Sequence, residues 1–348
     1  MSNTPPETSP PNLRPRVAPR PKMFPPPEFP PRKIKTFAKT PPAVFASLLG
    51  LLGLGLAMRR GAVVLGLSDS ALAGVIEAIL GASLAVFGFG IMALAVKFWR
   101  RPAVILEDMR VLPGRAGLAA ASMGVMASAS VIAPYSSGLA VAVLWGGLAL
   151  HGVLALLWIK VWLGLSAEGR VVTPAWHLSF VGFIVGAASA VNLGMLGLAQ
   201  GIFWATLPIA AAIWGISLAQ LIVRIPPAPL RPMLAMHLAP AALFTTVAQG
   251  LGEPLLALSF ASFGAVILAA LVVSGRWVAA AGFSPLWGSF TFPISAYALA
   301  LMAVGGVWAD AGIFVLIAAL GLVPMVVYRV LRLWANGKLA AKTNAAEA

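Results

Sequence analysis

Residues 71–96 read ALAGVIEAILGASLAVFGFGIMALAV, and Glu77 is the only charged residue among them. A run of this length exceeds the ~20 residues that an α-helix needs to cross a ~30 Å hydrocarbon layer. The run is continuously apolar, whereas a strand of a membrane β-barrel alternates apolar and polar side chains over ~10 residues. Because a lipid core leaves the backbone no other way to cross it, the stretch predicts a transmembrane helix.

Comparable apolar runs recur from residue 42 to residue 328 and predict an all-α integral membrane protein. The chain of 348 residues is 60% hydrophobic and only 10% charged, whereas soluble domains carry about 25% charged residues. The runs predict ten transmembrane helices, at 42–58, 71–96, 116–133, 138–159, 175–196, 202–223, 232–249, 254–274, 283–304 and 311–328.

The segments that flank the apolar runs differ from them in composition. Residues 1–40 combine many prolines with eight basic residues, Arg14, Arg16, Arg20, Lys22, Arg32, Lys33, Lys35 and Lys39. Such a mixture buries too little apolar surface to offset the entropy of ordering. We therefore expect a disordered cytoplasmic arm at 1–40, a ten-helix pore domain at 41–335 and a short cytoplasmic tail at 336–348. Nucleic-acid binding would also account for a basic arm, but the absence of interleaved aromatic residues and the adjoining membrane span disfavour it.

Basic residues are distributed unequally between the loops. If the amino terminus is cytoplasmic, 22 of the 24 Lys and Arg residues fall on that side, and only Arg59 and Arg60 fall outside. This asymmetry is what the positive-inside rule predicts for an even number of spans with both termini in the cytoplasm. The net charge of +14 is thus mostly a topology signal. The alanine-rich, cysteine-free composition without a targeting segment fits a bacterial inner membrane.

Polar side chains favour the odd-numbered spans. First members of successive span pairs begin near residues 42, 116, 175, 232 and 283, which suggests five stacked helical hairpins. Hydroxyls within a membrane bond to their own helix, bridge neighbouring helices or line an aqueous path, and the bias between the two sets favours the last role. The odd-numbered spans hold Ser47, Ser122, Ser128, Ser130, Ser179, Ser189, Thr245, Thr246, Ser284, Ser289, Thr291, Ser295 and Tyr297, with the amides Asn192 and Gln249.

Few residues within the predicted spans carry titratable chemistry. Glu77 is the one carboxylate well inside a span, so it is either a proton-coupling site or a structural acid bonded to a neighbour or to outer water. His151 is expected near mid-membrane, and His177 and His237 near the cytoplasmic side. This separation in depth disfavours a bis-histidine haem site. Pro240 and Pro293 interrupt the seventh and ninth spans and free backbone carbonyls there.

The same sequence contains no pattern typical of an enzyme. It has no cysteine, which excludes disulfides, thiolate metal sites, iron–sulfur centres and cysteine nucleophiles. It has no Walker loop, dinucleotide fingerprint, serine elbow or metal-ligand cluster. We therefore expect no cofactor, no metal and no enzyme activity; a membrane enzyme or redox subunit is the third and weakest hypothesis.

Four stretches resemble a known family. They are PPAVFASLLGLLGLGLA at 41–57, TPAWHLSFVGFIVGAASAVNLG at 173–194, LRPMLAMHLAPAAL at 230–243 and, most specific, LWGSFTFPISAYALA at 286–300. Together they resemble the tellurite-resistance/dicarboxylate transporter family, which includes bacterial TehA proteins and plant slow anion channels. The resemblance covers about residues 38–335.

The resemblance implies an architecture and a gate. It implies five helical hairpins around a quasi-fivefold axis, odd-numbered helices around a central pore, even-numbered helices outside, and a homotrimer. The aromatic residue that closes the pore in the family corresponds to Phe292 of the Thr291-Phe292-Pro293 triplet, and Phe45 corresponds to a pore-lining aromatic. A phenyl ring in a narrow pore blocks ions sterically and by desolvation, and Pro293 would relax the helix beside it.

Two functions follow as hypotheses. The first is a passive, TehA-like anion channel in which few fixed charges, pore-lining residues such as Ser189, Thr291, Pro240 and Pro293, and helix-end dipoles hold small anions weakly. The second is a proton-coupled carrier of dicarboxylate, tellurite or related oxyanions, which requires an intramembrane titratable group such as Glu77 or His151. In both cases the partners are small anions and the lipid bilayer, and not nucleic acid.

Overall fold

The computed structural model describes residues 36–166 and 168–348. The predicted basic arm lies outside these residues except for positions 36–40. Every regular element of the described part is helical. The α-helices are α1 Val44–Val64, α2 Ala71–Arg100, α3 Val104–Arg110, α4 Leu112–Ile132, α5 Ser137–Leu163, α6 Phe183–Asn192, α7 Leu196–Val223, α8 Leu238–Gly250, α9 Pro254–Val273, α10 Gly275–Val278, α11 Gly288–Val304, α12 Val307–Ala335 and α13 Lys338–Lys342.

Within the described residues, eight of the ten predicted spans appear as helices long and apolar enough to cross a bilayer. They are α1, α2, α4, α5, α7, α9, α11 with the preceding turn from Pro285, and α12. The other two predicted spans, 175–196 and 232–249, are broken helices. A π-helical turn, His177–Val181, precedes α6, and a 3₁₀ segment, Ala228–His237, precedes α8. The described residues therefore confirm eight long apolar helices, and a count of ten spans remains a prediction.

Proline accounts for one of these breaks. Pro232 lies within the 3₁₀ segment, where it removes a backbone donor that a continuing α-helix needs. Pro240 is the third residue of α8 and follows the break directly; its missing N–H removes the α-helical bond to the carbonyl four residues before it, so the predicted span changes from 3₁₀ to α-helix next to this proline. Pro293, by contrast, lies inside α11 as predicted.

Five helices form a closed ring. α1 contacts α4, α4 contacts α6, α6 contacts α8, α8 contacts α11, and α11 contacts α1. Each ring helix also packs against the long helix that follows it, in the pairs α1–α2, α4–α5, α6–α7, α8–α9 and α11–α12. The ring helices are the odd-numbered predicted spans. In the apolar window of α4, 83% of residues are buried, against 17% in that of α9, so the second set presents its apolar side chains outward.

At one end of the ring, both chain segments that flank the spans pack against the helices. Lys97 at the end of α2 and Asp108 in α3 have fully buried side chains and form an ion pair of 2.6 Å. Lys97 Nζ also donates to the Thr40 carbonyl at 3.0 Å, and the Ala346 N–H donates to Asp108 Oδ1 at 2.9 Å. The predicted tail 336–348 thus lies over this ion pair and contacts the segment before α1.

Candidate functional site

A large cavity lies inside the ring of five helices. This large cavity has a volume of about 830 Å³ and is lined mainly by α1, α4, α6, α8 and α11. It opens at the surface, because Val63, Asn192 and Gly250 in its lining are exposed. Its lining carries two cations, Arg59 and Arg60, and no carboxylate.

A second, small cavity continues along the same five helices toward the opposite end. It measures about 30 Å³, room for about one or two water molecules. Its lining is apolar except for His177 and Ser289. Phe292 and Leu243 line both cavities. These two side chains therefore separate the wide part of the ring interior from the narrow part.

Phe292 is held on the inner face of α11, with 7% of its surface exposed. Its neighbours on the same face, Ala296, Leu299 and Ala303, line the large cavity at helical spacing. On α1, a Cβ added to Gly53 would lie 3.2 Å from the Phe292 ring and 3.3 Å from Ser295. The glycine therefore leaves the space that the ring occupies.

Thr291 does not line either cavity and instead joins two ring helices. Its hydroxyl donates to the Ala46 carbonyl of α1 at 3.1 Å and to the Gly288 carbonyl at 2.8 Å. A Cβ on Gly50 would lie only 2.1 Å from Thr291 Oγ1, which shows how closely α1 and α11 approach. Pro293 lines the small cavity one residue beyond Phe292.

Ser189 belongs to a polar network on the wall of the large cavity. Ser189 Oγ donates to the Met126 carbonyl at 2.8 Å and lies 2.9 Å from Ser130 Oγ. Asn192 Nδ2 donates to Ser130 Oγ at 3.0 Å. Ser130, Ser189 and Asn192 all line the cavity, so the network supplies polar groups without a fixed charge.

Glu77 lies beside the large cavity but is not part of its lining. Its carboxylate accepts bonds from Arg59 Nε at 2.6 Å, Arg59 Nη2 at 2.5 Å and the Tyr135 hydroxyl at 2.7 Å. The bond to Glu77 raises the pKa of the Tyr135 phenol. The side chains of Arg59 and Glu77 are 22% and 33% exposed, so water reaches this ion pair.

The three histidines fall into two groups. His151 is buried between helices, with Nδ1 2.7 Å from Ser122 Oγ and its ring edge-to-face with Phe183; it lines neither the large nor the small cavity. His177 Nε2 lies 3.0 Å from His237 Nδ1. The sequence predicted a common side for His177 and His237 but not this contact, because pairing depends on the broken backbone in both segments.

Pro240 and Phe45 are two further residues that the sequence predicted to line the pore. Pro240 lines the small cavity. Phe45 lines neither cavity; it is fully buried on the side of α1 that faces α2, where its ring packs edge-to-face with Phe87 at 5.8 Å. The prediction of Phe45 as a lining residue came from the family resemblance, and α1 presents Ala46 and Leu49 to the small cavity instead.

Leu243 and Arg60 are two of the lining residues that sequence reasoning missed. Leu243 carries no signal of its own, since leucine is abundant in every predicted span. Arg60 did carry one: it is one of only two basic residues that the topology places on the outer side. The outer position of Arg60 was explained by topology alone, and the sequence did not predict that Arg60 lines a cavity.

These features define a class, a multi-pass helical membrane protein whose inner helices enclose two cavities in line. The family model SLAC1, described as voltage-dependent anion channel, matches residues 39–333. The chain therefore belongs to this family, which transports anions through membranes, and the resemblance drawn from the sequence is confirmed at the level of the family. A comparison with curated proteins finds no match to the chain.

Proposed function

We propose that this protein is a passive, TehA-like anion channel with Phe292 as its gate. In this proposal the eight long helices and the two broken segments, residues 177–192 and 228–250, make ten spans. They form five hairpins around a quasi-fivefold pore whose wall is the ring of α1, α4, α6, α8 and α11. The pore consists of the large cavity, the constriction at Phe292 and Leu243, and the small cavity.

The observation that carries the proposal is the position of Phe292 between the two cavities. On one side lies about 830 Å³ of space whose walls carry two arginines and several hydroxyl and amide groups among apolar side chains, and on the other about 30 Å³ whose walls are almost entirely apolar. An anion that entered the small cavity would lose its hydration shell and gain few polar partners, which is energetically unfavourable. A phenyl ring at this junction thus acts both as a steric plug and as a desolvation barrier.

The walls of the large cavity suit permeation more than tight binding. Hydroxyls and amides such as Ser130, Ser189 and Asn192 interact with a partly hydrated anion through dipoles. Such contacts are weak enough for the ion to leave again, as conduction requires.

The positions of Glu77 and His151 disfavour the alternative, a proton-coupled carrier of dicarboxylate, tellurite or related oxyanions that uses either residue for coupling. Such a carrier needs a titratable group in contact with the substrate. Glu77 is bonded to Arg59 and Tyr135, and His151 is packed between helices outside both cavities. We expect Glu77→Gln and His151→Gln variants to retain transport; loss of pH-gradient-driven uptake in either would favour the carrier.

The family also suggests the setting. We propose a homotrimer in a bacterial inner membrane with both termini in the cytoplasm, so that Arg59 and Arg60 lie at the outer mouth. Light scattering of the detergent-solubilised protein tests the trimer. Cysteine labelling of the otherwise cysteine-free chain at exposed Tyr135 tests the orientation, because an outer position reacts with a membrane-impermeant maleimide in intact cells.

The decisive experiment records single-channel current in planar bilayers with asymmetric chloride and nitrate. We expect Phe292→Ala to raise an anion-selective conductance, since lowering the barrier by ~1.4 kcal/mol increases the current about tenfold. Phe290→Ala is the matched control. Phe290 lies two residues away on the same helix, and its ring packs against Trp287 at 5.6 Å and lines neither cavity.

The recordings distinguish a gate at Phe292 from a general loosening of α11 and from a protein that is not a channel. A current that rises in Phe292→Ala and not in Phe290→Ala supports the gate. An equal rise in both variants would attribute the effect to general loosening of α11. No anion current in any of the proteins, together with solute uptake driven by a pH gradient, would overturn the channel.

A further inference from the structure

The two arginines of the large cavity differ in their partners. Arg59 donates two bonds to Glu77 and further bonds to the Ser130 and Val131 carbonyls. Its charge is therefore balanced by a carboxylate in direct contact. Arg60 donates to a single acceptor, the Met302 carbonyl, at 3.3 Å.

Arg60 is also incompletely bonded. Its Nε is buried and has no hydrogen-bond partner among the described residues. Within the same part of the chain, no carboxylate lies within 4 Å of its guanidinium. A guanidinium carries five N–H donors, so Arg60 retains donors for a further acceptor.

The charged residues around Arg60 favour an anion as this further acceptor. Arg60 and Arg59 are the only charged residues in the lining of the large cavity, and Glu77 balances Arg59. Asp69, Glu253 and Asp310 are exposed and lie in or next to the loops that follow α1, α8 and α11, where water and salt screen their charges. Among the described residues, the cavity therefore contains one uncompensated positive charge next to uncharged, mostly apolar walls.

We propose that Arg60 is the anion-recruiting residue of the large cavity, and that Glu77 removes Arg59 from this role. Arg60 takes a small, partly hydrated monovalent anion such as chloride or nitrate in passing, before the constriction at Phe292. A charge in a cleft with low-dielectric walls raises the local concentration of counter-ions and their rate of entry. This inference rests on the proposed channel function and specifies which residue sets the supply of anions to it.

The test uses the Phe292→Ala protein, in which current is large, and adds Arg60→Gln. We expect conductance in 0.1 M chloride to fall by about two- to fivefold, which is less than the roughly tenfold or larger effect of a cleft lined by several like charges, because only one charge is removed. The loss should shrink at 1 M salt, where the Debye length is only ~3 Å. The loss of conductance should be larger for anions that enter from the Arg60 end than for anions that enter from the other end. The ratio of the currents in the two directions should therefore change when Arg60 is replaced.

Two further variants separate charge from structure. Arg60→Lys keeps the charge and should restore most of the conductance. Arg276→Gln removes an exposed arginine outside the lining of the large cavity and should change nothing. A conductance in Arg60→Gln equal to that of its parent at 0.1 M would overturn the inference alone, as would a loss that Arg60→Lys does not restore. Absence of anion current in Phe292→Ala itself would overturn the channel and this inference with it.

Discussion

The two ends of the ring hold their charges in opposite ways. At one end, the Arg59–Glu77 ion pair is 22% and 33% exposed beside the large cavity. At the other end, the Lys97–Asp108 ion pair is fully buried, with the Thr40 carbonyl and the Ala346 N–H as additional partners. The interior follows the same division, since it is wide and carries several polar groups at the first end and is narrow and almost entirely apolar at the second.

The difference shows that a pair of one basic and one acidic side chain serves different purposes according to whether water reaches it. Charges that water reaches cost little to place and contribute little to stability when they pair. Charges withdrawn from water are costly and persist only when each is fully partnered. Lys97 and Asp108 therefore fix the packing of the chain segments around one end, whereas at the other end Arg60 keeps a guanidinium Nε without a partner among the described residues.

The largest effect that tests this comparison is expected from Asp108→Asn. It leaves the buried Lys97 charge without its counter-ion, which typically costs about 3–5 kcal/mol. Glu77→Gln makes the matching change at the exposed ion pair and should cost less than about 1 kcal/mol. The measurement is the fraction of protein that stays monodisperse on size-exclusion chromatography after heating in detergent. Equal stability of the two variants would contradict the contrast between the ends.

A medium effect is expected from Gly50→Ala. The new Cβ would lie 2.1 Å from Thr291 Oγ1, so α1 and α11 must separate near the narrow end; such overpacking costs about 1–3 kcal/mol. Gly74→Ala is the control, because nothing lies within 4 Å of that position on α2. There the helix propensity of alanine should leave stability unchanged or raise it by up to about 1 kcal/mol. A neutral Gly50→Ala in the same heating assay would show that the ring tolerates looser packing.

The smallest effect is expected from Glu347→Gln. Glu347 pairs with Lys39 at 3.1 Å, but these side chains are 36% and 49% exposed. An exposed pair contributes little, so the change should stay below about 0.5 kcal/mol. Glu347 lies close to Asp108 in space, but its substitution should reduce stability much less than Asp108→Asn. A loss comparable to that of Asp108→Asn would mean that the tail, and not the buried pair, determines stability at this end.

The sequence predicted the helical membrane class and most span positions because hydropathy depends on composition alone. It could not predict the broken helices at 177–192 and 228–250, since those depend on the backbone and not on apolarity. Phe292 was placed by the resemblance and lies between the cavities. Phe45 was placed in the same way and packs against α2, because a one-residue rotation on a helix changes the face by about 100°.

The charged groups were predictable to different extents. Glu77 was recognised as unusual, but its partner Arg59 was treated only as a topology exception. In the predicted topology, Arg59 lies on the side of the membrane where basic residues are rare, and Glu77 lies at a matching depth on the next helix. This combination indicates an ion pair. Lys97 and Asp108 gave no such signal, since the partners that bury them, near Thr40 and Ala346, are distant in sequence.

Closure of the ring also constrains how the protein is made. The contact between Thr291 and Ala46 joins residues 245 positions apart. During synthesis, α1 enters the membrane long before α11 leaves the ribosome, so the face of α1 around Gly50 waits without its final neighbour. Contacts of such separation form late and slowly. The nascent chain thus has an open seam beside α1 until its next-to-last long helix is inserted, and lipid or an insertion factor must cover that seam in the meantime.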